Sequence, residues 1–480
     1  VEKKFSQDTY FYNVIDAIKE SKEDNYVYLG HPTIFGKQIC YYHAEEKVDG
    51  LPENCIFVSL ENFYNYFSNT KYRLPKRLVI YKDDLKESEI LLDAIETTIN
   101  IIKNERKQLE AVYLKEIKNL EPDFNDKKLR VLLPASRLTT VMQYVSKGIY
   151  DVLNEYNNLE VKLSIEDTFF DDMNDNLPLL VDIYNFNPHI IISINHVFQF
   201  INEKVFNFVW FQDAMPFLIN KEIYKNRQRE FFFSLTKHQD KMLEAKQIPF
   251  QRQNFAINDK LFKINKKIKR EDKIVFIGSS YNSFVDNSFV TKEIIDELEI
   301  RYELGEEFSN EYMEYFSKKF NISKEYLEVK LIPYVIRDFA LRWLCKSDII
   351  KKIKIEIYGW GWDIYPETKQ YFKGKLKHGQ EIADVYSSAK FTLAPHSGYI
   401  IQQRVLEAIF CGCQPVLYDC RNIDQGPYYE DVFVYYKSKE DLLNSFVATK
   451  EFNFVDFKKE FTYKHFVEKI LNIVEKNKNE

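Results

Sequence analysis

Arg404 and Glu407 stand three positions apart in the segment Tyr386 to Asp419, YSSAKFTLAPHSGYIIQQRVLEAIFCGCQPVLYD. At helical spacing they share one face, so the least they form is an i,i+3 ion pair of about 0.2–0.5 kcal/mol. Just ahead of them, the apolar run Phe391-Thr392-Leu393-Ala394 ends in the loop Pro395-His396-Ser397-Gly398. Two more apolar runs end in small-residue loops, Gly278-Ser279-Ser280 and Gly359-Trp360-Gly361. Loops of this kind, between a strand and the start of a helix, offer unpaired backbone N–H groups to an anion. His396 reads either as a packed ring or as a contact to an anion or hydroxyl, and Trp360 and Trp362 either as stacking platforms or as packing for their turn. Two titratable groups follow other apolar runs: Asp213 closes Val209-Trp210-Phe211-Gln212-Asp213, and His196 closes Ser193-Ile194-Asn195-His196. Both are residue types that act as a general base when a hydroxyl comes within hydrogen-bond reach; Asp213 reads equally as a cap on the next turn. Ser136-Arg137, after the apolar run Leu129 to Leu133, is a further polar loop.

The elements that would position these residues are α/β in pattern. Apolar runs at Leu129–Leu133, Leu159–Leu163, His189–Ser193, Phe206–Phe211 and Glu230–Thr236 alternate with helical stretches near 140–156 and 176–186. After the Lys-rich stretch Lys263 to Lys273 the pattern restarts: strands at 273–278, 353–358, 391–394 and 415–418, helices at 380–387 and 403–411, and a helical insertion over 288–352. Alternation of this length implies parallel sheets covered on both faces. The spacing therefore predicts two Rossmann-like domains facing across a cleft, residues 126–262 and 263–450, with ligands at the carboxyl ends of the strands. Residues 1–125 form an additional N-terminal α/β region, with strands near 27–29, 55–58 and 78–81 and a long helix over 86–120. Residues 451–480 close the chain as a C-terminal helix.

Composition bounds the answer further. The chain has 480 residues, 45% hydrophobic and 29% charged, with 13 Gly and 14 Pro, which excludes a disordered, collagen-like or low-complexity protein. Its 67 basic and 73 acidic residues are interspersed for a net charge of −6, unlike a nucleic-acid-binding coat, and the run Lys263 to Lys273 reads as a solvated linker. No stretch approaches the roughly 18 apolar residues of a membrane span, and the first residues, VEKKFSQDTY, lack the apolar core of a signal peptide. The six cysteines, Cys40, Cys55, Cys345, Cys411, Cys413 and Cys420, include no CxxC pair with a nearby histidine, so they read as buried thiols and no metal site is expected. A cytoplasmic location follows, free or at the inner face of a membrane.

In the segment quoted above, strand and loop are followed by R-x-x-E-A, a small-residue turn and a P-V strand, carried here by Arg404, Glu407, Ala408, Gly412, Pro415 and Val416. This order resembles the nucleotide-sugar-binding half of GT-B glycosyltransferases, most of all the CgeB-like, glycosyltransferase family 1-like group, whose I-Y-G-x-G-W strand and turn is similar to Ile355–Trp362, IEIYGWGW. The resemblance covers roughly residues 270–440. It implies a donor site made of Gly278, Ser279, Ser280, Gly359, Trp360, His396, Ser397, Gly398, Arg404 and Glu407. In it the Glu407 carboxylate would accept the donor ribose hydroxyls, and Arg404 with the amides of Ser397 and Gly398 would neutralise the departing phosphate. Many retaining members carry a second glutamate eight residues earlier; here that position is Tyr399, so the retaining motif does not transfer. On the acceptor side, Asp213 and His196 are the general-base candidates, and Ser136 and Arg137 would contact the acceptor.

The function implied is transfer of a sugar from a nucleotide-activated donor to a hydroxyl on a glycan, lipid-linked or protein acceptor, with no cofactor beyond the donor and no metal. The alternatives are a nucleotide-sugar epimerase or hydrolase of the same fold, or a catalytically degenerate scaffold that binds a glycan or protein. Residues 1–125 are the surface expected to meet a second copy or a protein partner. Donor base, sugar and stereochemical outcome are not encoded in these motifs.

Overall fold

Backbone pairing, more than composition, makes some of the N-terminal strands: the first is Glu-Lys-Lys, a sequence with no strand preference of its own. The computed structural model describes residues 2–4, 26–30, 40–44, 55–69, 74, 77–81, 85–135, 140–165, 176–213, 218, 227–424, 433–446 and 459–479. Strands Glu2–Lys4 (β1), Tyr26–Gly30 (β2), Cys40–Ala44 (β3), Cys55–Phe57 (β4) and Arg77–Tyr81 (β5) form a mixed sheet in the order β1-β5-β2-β3-β4. A short helix, Phe63–Ser68 (α1), and a 35-residue helix, Leu85–Asn119 (α2), accompany it. Leu92, Ile95, Ile99 and Ile102 of α2 pack on Val58, Phe63 and Phe67. One end of the same helix thus seals the first core. The other end places Ile117 in a second core with Leu132, Leu180, Ile183 and Ile191.

That second core belongs to a parallel sheet. Strands Leu129–Ala135 (β6), Leu159–Ile165 (β7), Ile190–Ile194 (β8), Phe206–Trp210 (β9) and Glu230–Ser234 (β10) run in the order β10-β9-β8-β6-β7, with helices Thr140–Leu153 (α3) and Leu177–Phe186 (α4) in the crossovers. Every residue of β8 and β9 is buried, which is why both are apolar but for Ser193 and Asn207. The chain divides into two compact units, Val1–Phe233 with Ile473–Glu480, and Ser234–Asn472.

The second unit opens with a short strand, Phe250–Arg252 (β11), and is built on the parallel strands Glu271–Ile277 (β12), Lys354–Tyr358 (β13), Ala389–Ala394 (β14), Gln414–Tyr418 (β15) and Val434–Tyr436 (β16), in the order β13-β12-β14-β15-β16. The connection from β12 goes to one side and the strand after β13 returns on the other, so the switch point lies between β12 and β14, where open α/β sheets bind ligands. Between β12 and β13 lie helices Lys292–Glu303 (α5) and Asn310–Phe320 (α6) and a helical run over 324–346 (α7). Pro333 sits inside α7 and cannot donate to the carbonyl of Val329. The helix widens into π turns at Leu327–Leu331 and Val335–Phe339. Helices Gln380–Ser388 (α8) and Gln403–Phe410 (α9) flank β14, and Tyr463–Asn477 (α10) closes the chain. Two buried side chains, Lys273 Nζ and Glu356 Oε2, pair at 2.9 Å between β12 and β13; Lys354 Nζ at 2.8 Å and the Tyr358 hydroxyl at 3.0 Å complete the carboxylate's shell. Cys345, Cys411, Cys413 and Cys420 are buried thiols. Among the described residues no helix is long and apolar enough to cross a membrane.

Candidate active site

β12 runs straight out of the core into Gly278-Ser279-Ser280, and the way this loop is held decides what it offers. The Gly278 N–H donates to the Tyr358 carbonyl and its own carbonyl accepts from Trp362 Nε1 at 2.7 Å. Ser280 N–H donates to the Trp360 carbonyl, and its hydroxyl donates to Asp338 Oδ2 at 2.5 Å. Gly359 takes φ 139°, and a Cβ there would stand 2.1 Å from the Gly278 oxygen, so this crossing of backbones requires glycine. Gly278, Ser280 and Gly359 therefore shape the turn, their polar groups engaged within the fold. Trp362 is buried edge-on to Phe276 and pins the loop; Trp360 is 54% exposed, with Lys375 Nζ over its ring. Ser279, half-buried, is the member of the loop whose carbonyl faces a cation.

That cation is Arg337, on the second π turn, and no sequence motif pointed to it. Its Nη1 donates to the Ser279 carbonyl at 3.3 Å, its guanidinium lies 3.7 Å from the centre of the Tyr281 ring, and its Nε is buried with no hydrogen-bond partner among the described residues. The neighbouring Asp338, 0% exposed, faces elsewhere: Oδ2 accepts from Ser280 and from the Tyr365 hydroxyl at 2.7 Å, and Oδ1 accepts from Tyr281 N–H at 3.0 Å. Burial raises the Asp338 carboxyl above its ordinary range while these hydrogen bonds act against the shift. A signal was present in the sequence, since an Arg-Asp pair inside the apolar run YVIRDFAL is a charge the fold must bury; its direction depended on the wide turn.

Across the switch point, β14 ends in Pro395-His396-Ser397-Gly398. His396 Nδ1 accepts from the Gly398 N–H at 3.1 Å, which engages that amide and leaves Nε2 as the proton-bearing nitrogen. Burial, with the Arg337 guanidinium adding to it, holds His396 down to about 3, so the ring is neutral at physiological pH. Its ring packs on Tyr399 at 4.5 Å. Arg337 and His396 thus come from two different connections and lie within electrostatic reach of each other.

Farther along, α9 carries the Arg404–Glu407 pair. Arg404 Nη1 lies 2.6 Å from Glu407 Oε2; the Arg404 side chain is 40% exposed and that of Glu407 0%. This is no surface ion pair. Glu407 Oε1 has no hydrogen-bond partner among the described residues, with His378 Nε2 3.6 Å away. The buried rings of Tyr386 and Tyr463 also feel the Glu407 charge.

In the first unit, Asp213 and His196 follow the paired strands β9 and β8 and are both exposed. Asn195, buried at φ 66°, ties the two ends together. Its Oδ1 accepts from Gln212 N–H at 2.7 Å and Asp213 N–H at 3.1 Å, and its Nδ2 donates to Asp213 Oδ2 at 2.8 Å. The Ser193 hydroxyl donates to the His196 carbonyl at 2.5 Å. Ser136 and Arg137 lie outside the described residues. Among the described residues no three His, Cys, Asp or Glu side chains are grouped to hold a metal ion.

Residues 337–472 match the profile of a family described as glycosyl transferase-like. The matched segment begins at Arg337 and includes His396, Arg404 and Glu407. No curated protein matches the chain. Among solved structures, it is similar to a sucrose-phosphate synthase from Thermosynechococcus elongatus (TM-score 0.42, 9% identity, covering 73% of this chain and 99% of the other). It is similar also to a glycosyltransferase from Rickettsia africae (0.38, 10%, 73% and 99%) and to Anabaena HepE in complex with UDP-glucose (0.37, 8%, 71% and 94%).

Proposed function

We propose that this glycosyl transferase-like domain works as part of a GT-B enzyme that moves a sugar from a nucleotide-activated donor to a hydroxyl acceptor on a glycan, lipid or protein. The observation that carries the reading is Glu407, a fully buried carboxylate inside the matched segment, with Oε2 held by Arg404 and Oε1 lacking a hydrogen-bond partner among the described residues. A buried acceptor left unsatisfied costs about 1–3 kcal/mol. A ribose hydroxyl of the donor supplies the missing hydrogen bond, and Arg404, at 2.6 Å, holds the carboxylate in place. The acceptor oxygen bonds to the anomeric carbon, the bond from that carbon to the phosphate oxygen breaks, and its electron pair leaves on the nucleotide. The hydroxyl proton passes to a base, for which Asp213 is the assignment, with His196 beside it. Charge on the leaving nucleotide is met at the ends of β12 and β14.

Thermal unfolding against UDP, GDP, CDP, CMP and dTDP tests the donor site: a ligand at 100 times its Kd adds about 2.7 kcal/mol. One nucleotide should stabilise the protein, and Glu407→Gln should abolish the shift. Product analysis with the matching nucleotide-sugar then separates transfer from epimerisation or hydrolysis, and Asp213→Asn should lower kcat about 100-fold or more with nucleotide affinity unchanged. Absence of any nucleotide shift together with absence of sugar release would overturn the reading.

A further inference from the structure

We infer that Arg337 is the residue that holds the diphosphate of the donor, so that the donor is a nucleoside diphosphate sugar and Arg404 acts on Glu407 instead. The inference rests on the donor-site reading above and assigns a residue within it. Four observations converge. The guanidinium lies at the switch point of the second sheet, at the end of β12 and within electrostatic reach of His396 after β14. It is under-satisfied: among the described residues its hydrogen-bond acceptor is one carbonyl at 3.3 Å, Nε has none, and no carboxylate stands within salt-bridge distance. The nearest acid, Asp338, has both oxygens committed to Ser280, Tyr281 and Tyr365, which fixes the loop while leaving the arginine's charge uncancelled. Finally, Tyr281 stacks on the guanidinium and fixes its plane, so its remaining N–H edge is presented in one orientation.

A planar, fixed cation with unused N–H groups matches two anionic oxygens at once, the geometry by which arginine takes phosphate. His396 completes the cradle: held neutral, it offers Nε2–H as a donor and adds no titrating charge. Arg404 cannot replace Arg337 in this role while its Nη1 is bound to the Glu407 carboxylate at 2.6 Å.

The experiment is calorimetric titration of the full chain with UDP, GDP, ADP, CDP and dTDP and with the matching nucleosides, for wild type, Arg337→Met and Arg337→Lys. Methionine keeps an unbranched apolar stem and removes the charge. For the nucleotide that binds wild type, Arg337→Met should weaken the diphosphate about 10- to 100-fold and leave the nucleoside unchanged, with Arg337→Lys in between. Diphosphate affinity equal to wild type in Arg337→Met overturns the inference and leaves the donor-site reading standing. Equal loss of nucleoside and diphosphate would mark Arg337 as a support of the fold and also overturns it. Failure of every nucleoside and diphosphate to bind wild type overturns the donor-site reading, and this inference with it.

Discussion

Toward the start of β12, Lys273 meets Glu356 at 2.9 Å, and Lys354 and Tyr358 complete the carboxylate's shell. Beyond the end of the same strand, Arg337 has one carbonyl at 3.3 Å and an aromatic ring. Both places bury charge in one sheet, yet the first is closed on itself and the second is open. A buried ion pair that satisfies all its partners is a structural device, because breaking it strands a charge. A buried cation without its anion is costly unless something outside the chain supplies the anion. The difference separates the electrostatics of folding from those of binding within about twenty ångströms of strand, by the rise of about 3.3 Å per residue.

The largest effect should come from opening the closed end. Glu356→Ala leaves Lys273 buried without its partner and should cost about 3–5 kcal/mol in denaturant unfolding. The double change Lys273→Met with Glu356→Leu should recover most of it, while nucleotide affinity follows wild type in both. A single variant as stable as wild type would remove the contrast. Asp338→Asn comes next. It weakens the three hydrogen bonds that fix the loop after β12, and should cost about 1–3 kcal/mol and lower diphosphate affinity as well, since the carbonyl that Arg337 touches belongs to that loop.

What the sequence revealed and what it concealed divide along the same line. The strands were legible: Ile274–Ile277 and Phe206–Phe211 are apolar because both faces are covered, and the strand termini placed Asp213, His196 and His396 correctly at carboxyl ends. The long helix read over 86–120 is Leu85–Asn119. The loop residues were legible in position and not in use. Gly278 and Ser280 match an anion-binding loop in composition, but their N–H groups continue the β12–β13 pairing past the strands, a tertiary fact that composition does not carry. Glu407 at i+3 from Arg404 has the spacing of a surface pair, and its complete burial depends on α9 packing inward. Arg337 was missed because its direction is set by a helix that departs from 3.6 residues per turn.

Acid should expose the two ends in sequence. Glu356 is lowered from 4.5 to about 2 by its hydrogen bonds to Lys354, Lys273 and Tyr358, which outweigh burial. Its contribution to stability is therefore complete above pH 4.5 and is lost as pH falls toward 2. His396, lowered from 6.5 to about 3, starts earlier: the unfolded ring takes a proton below pH 6.5 while the folded one does not, so stability falls from pH 6.5 downward until about pH 3. Unfolding midpoints between pH 7 and 5 should decline in wild type and decline less in His396→Asn, whereas Glu356→Gln should lower the midpoints throughout that range and leave the decline across it unchanged. The smallest effect expected is none: if Arg337 supplies the countercharge, EDTA should leave nucleoside diphosphate affinity unaltered, and a loss restored by Mg²⁺ would refute metal independence.

The wide turns of α7 carry an implication for how such a site arises. A π turn is in effect one residue inserted into an α-helix, and one residue rotates everything beyond it by about 100°. Deleting a single residue from Leu327–Leu331 would swing Arg337 away from the end of β12 without altering any side chain at the site. In this helix a one-codon insertion or deletion is therefore a heritable change that moves the Arg337 charge to or from the end of β12 without replacing the arginine itself.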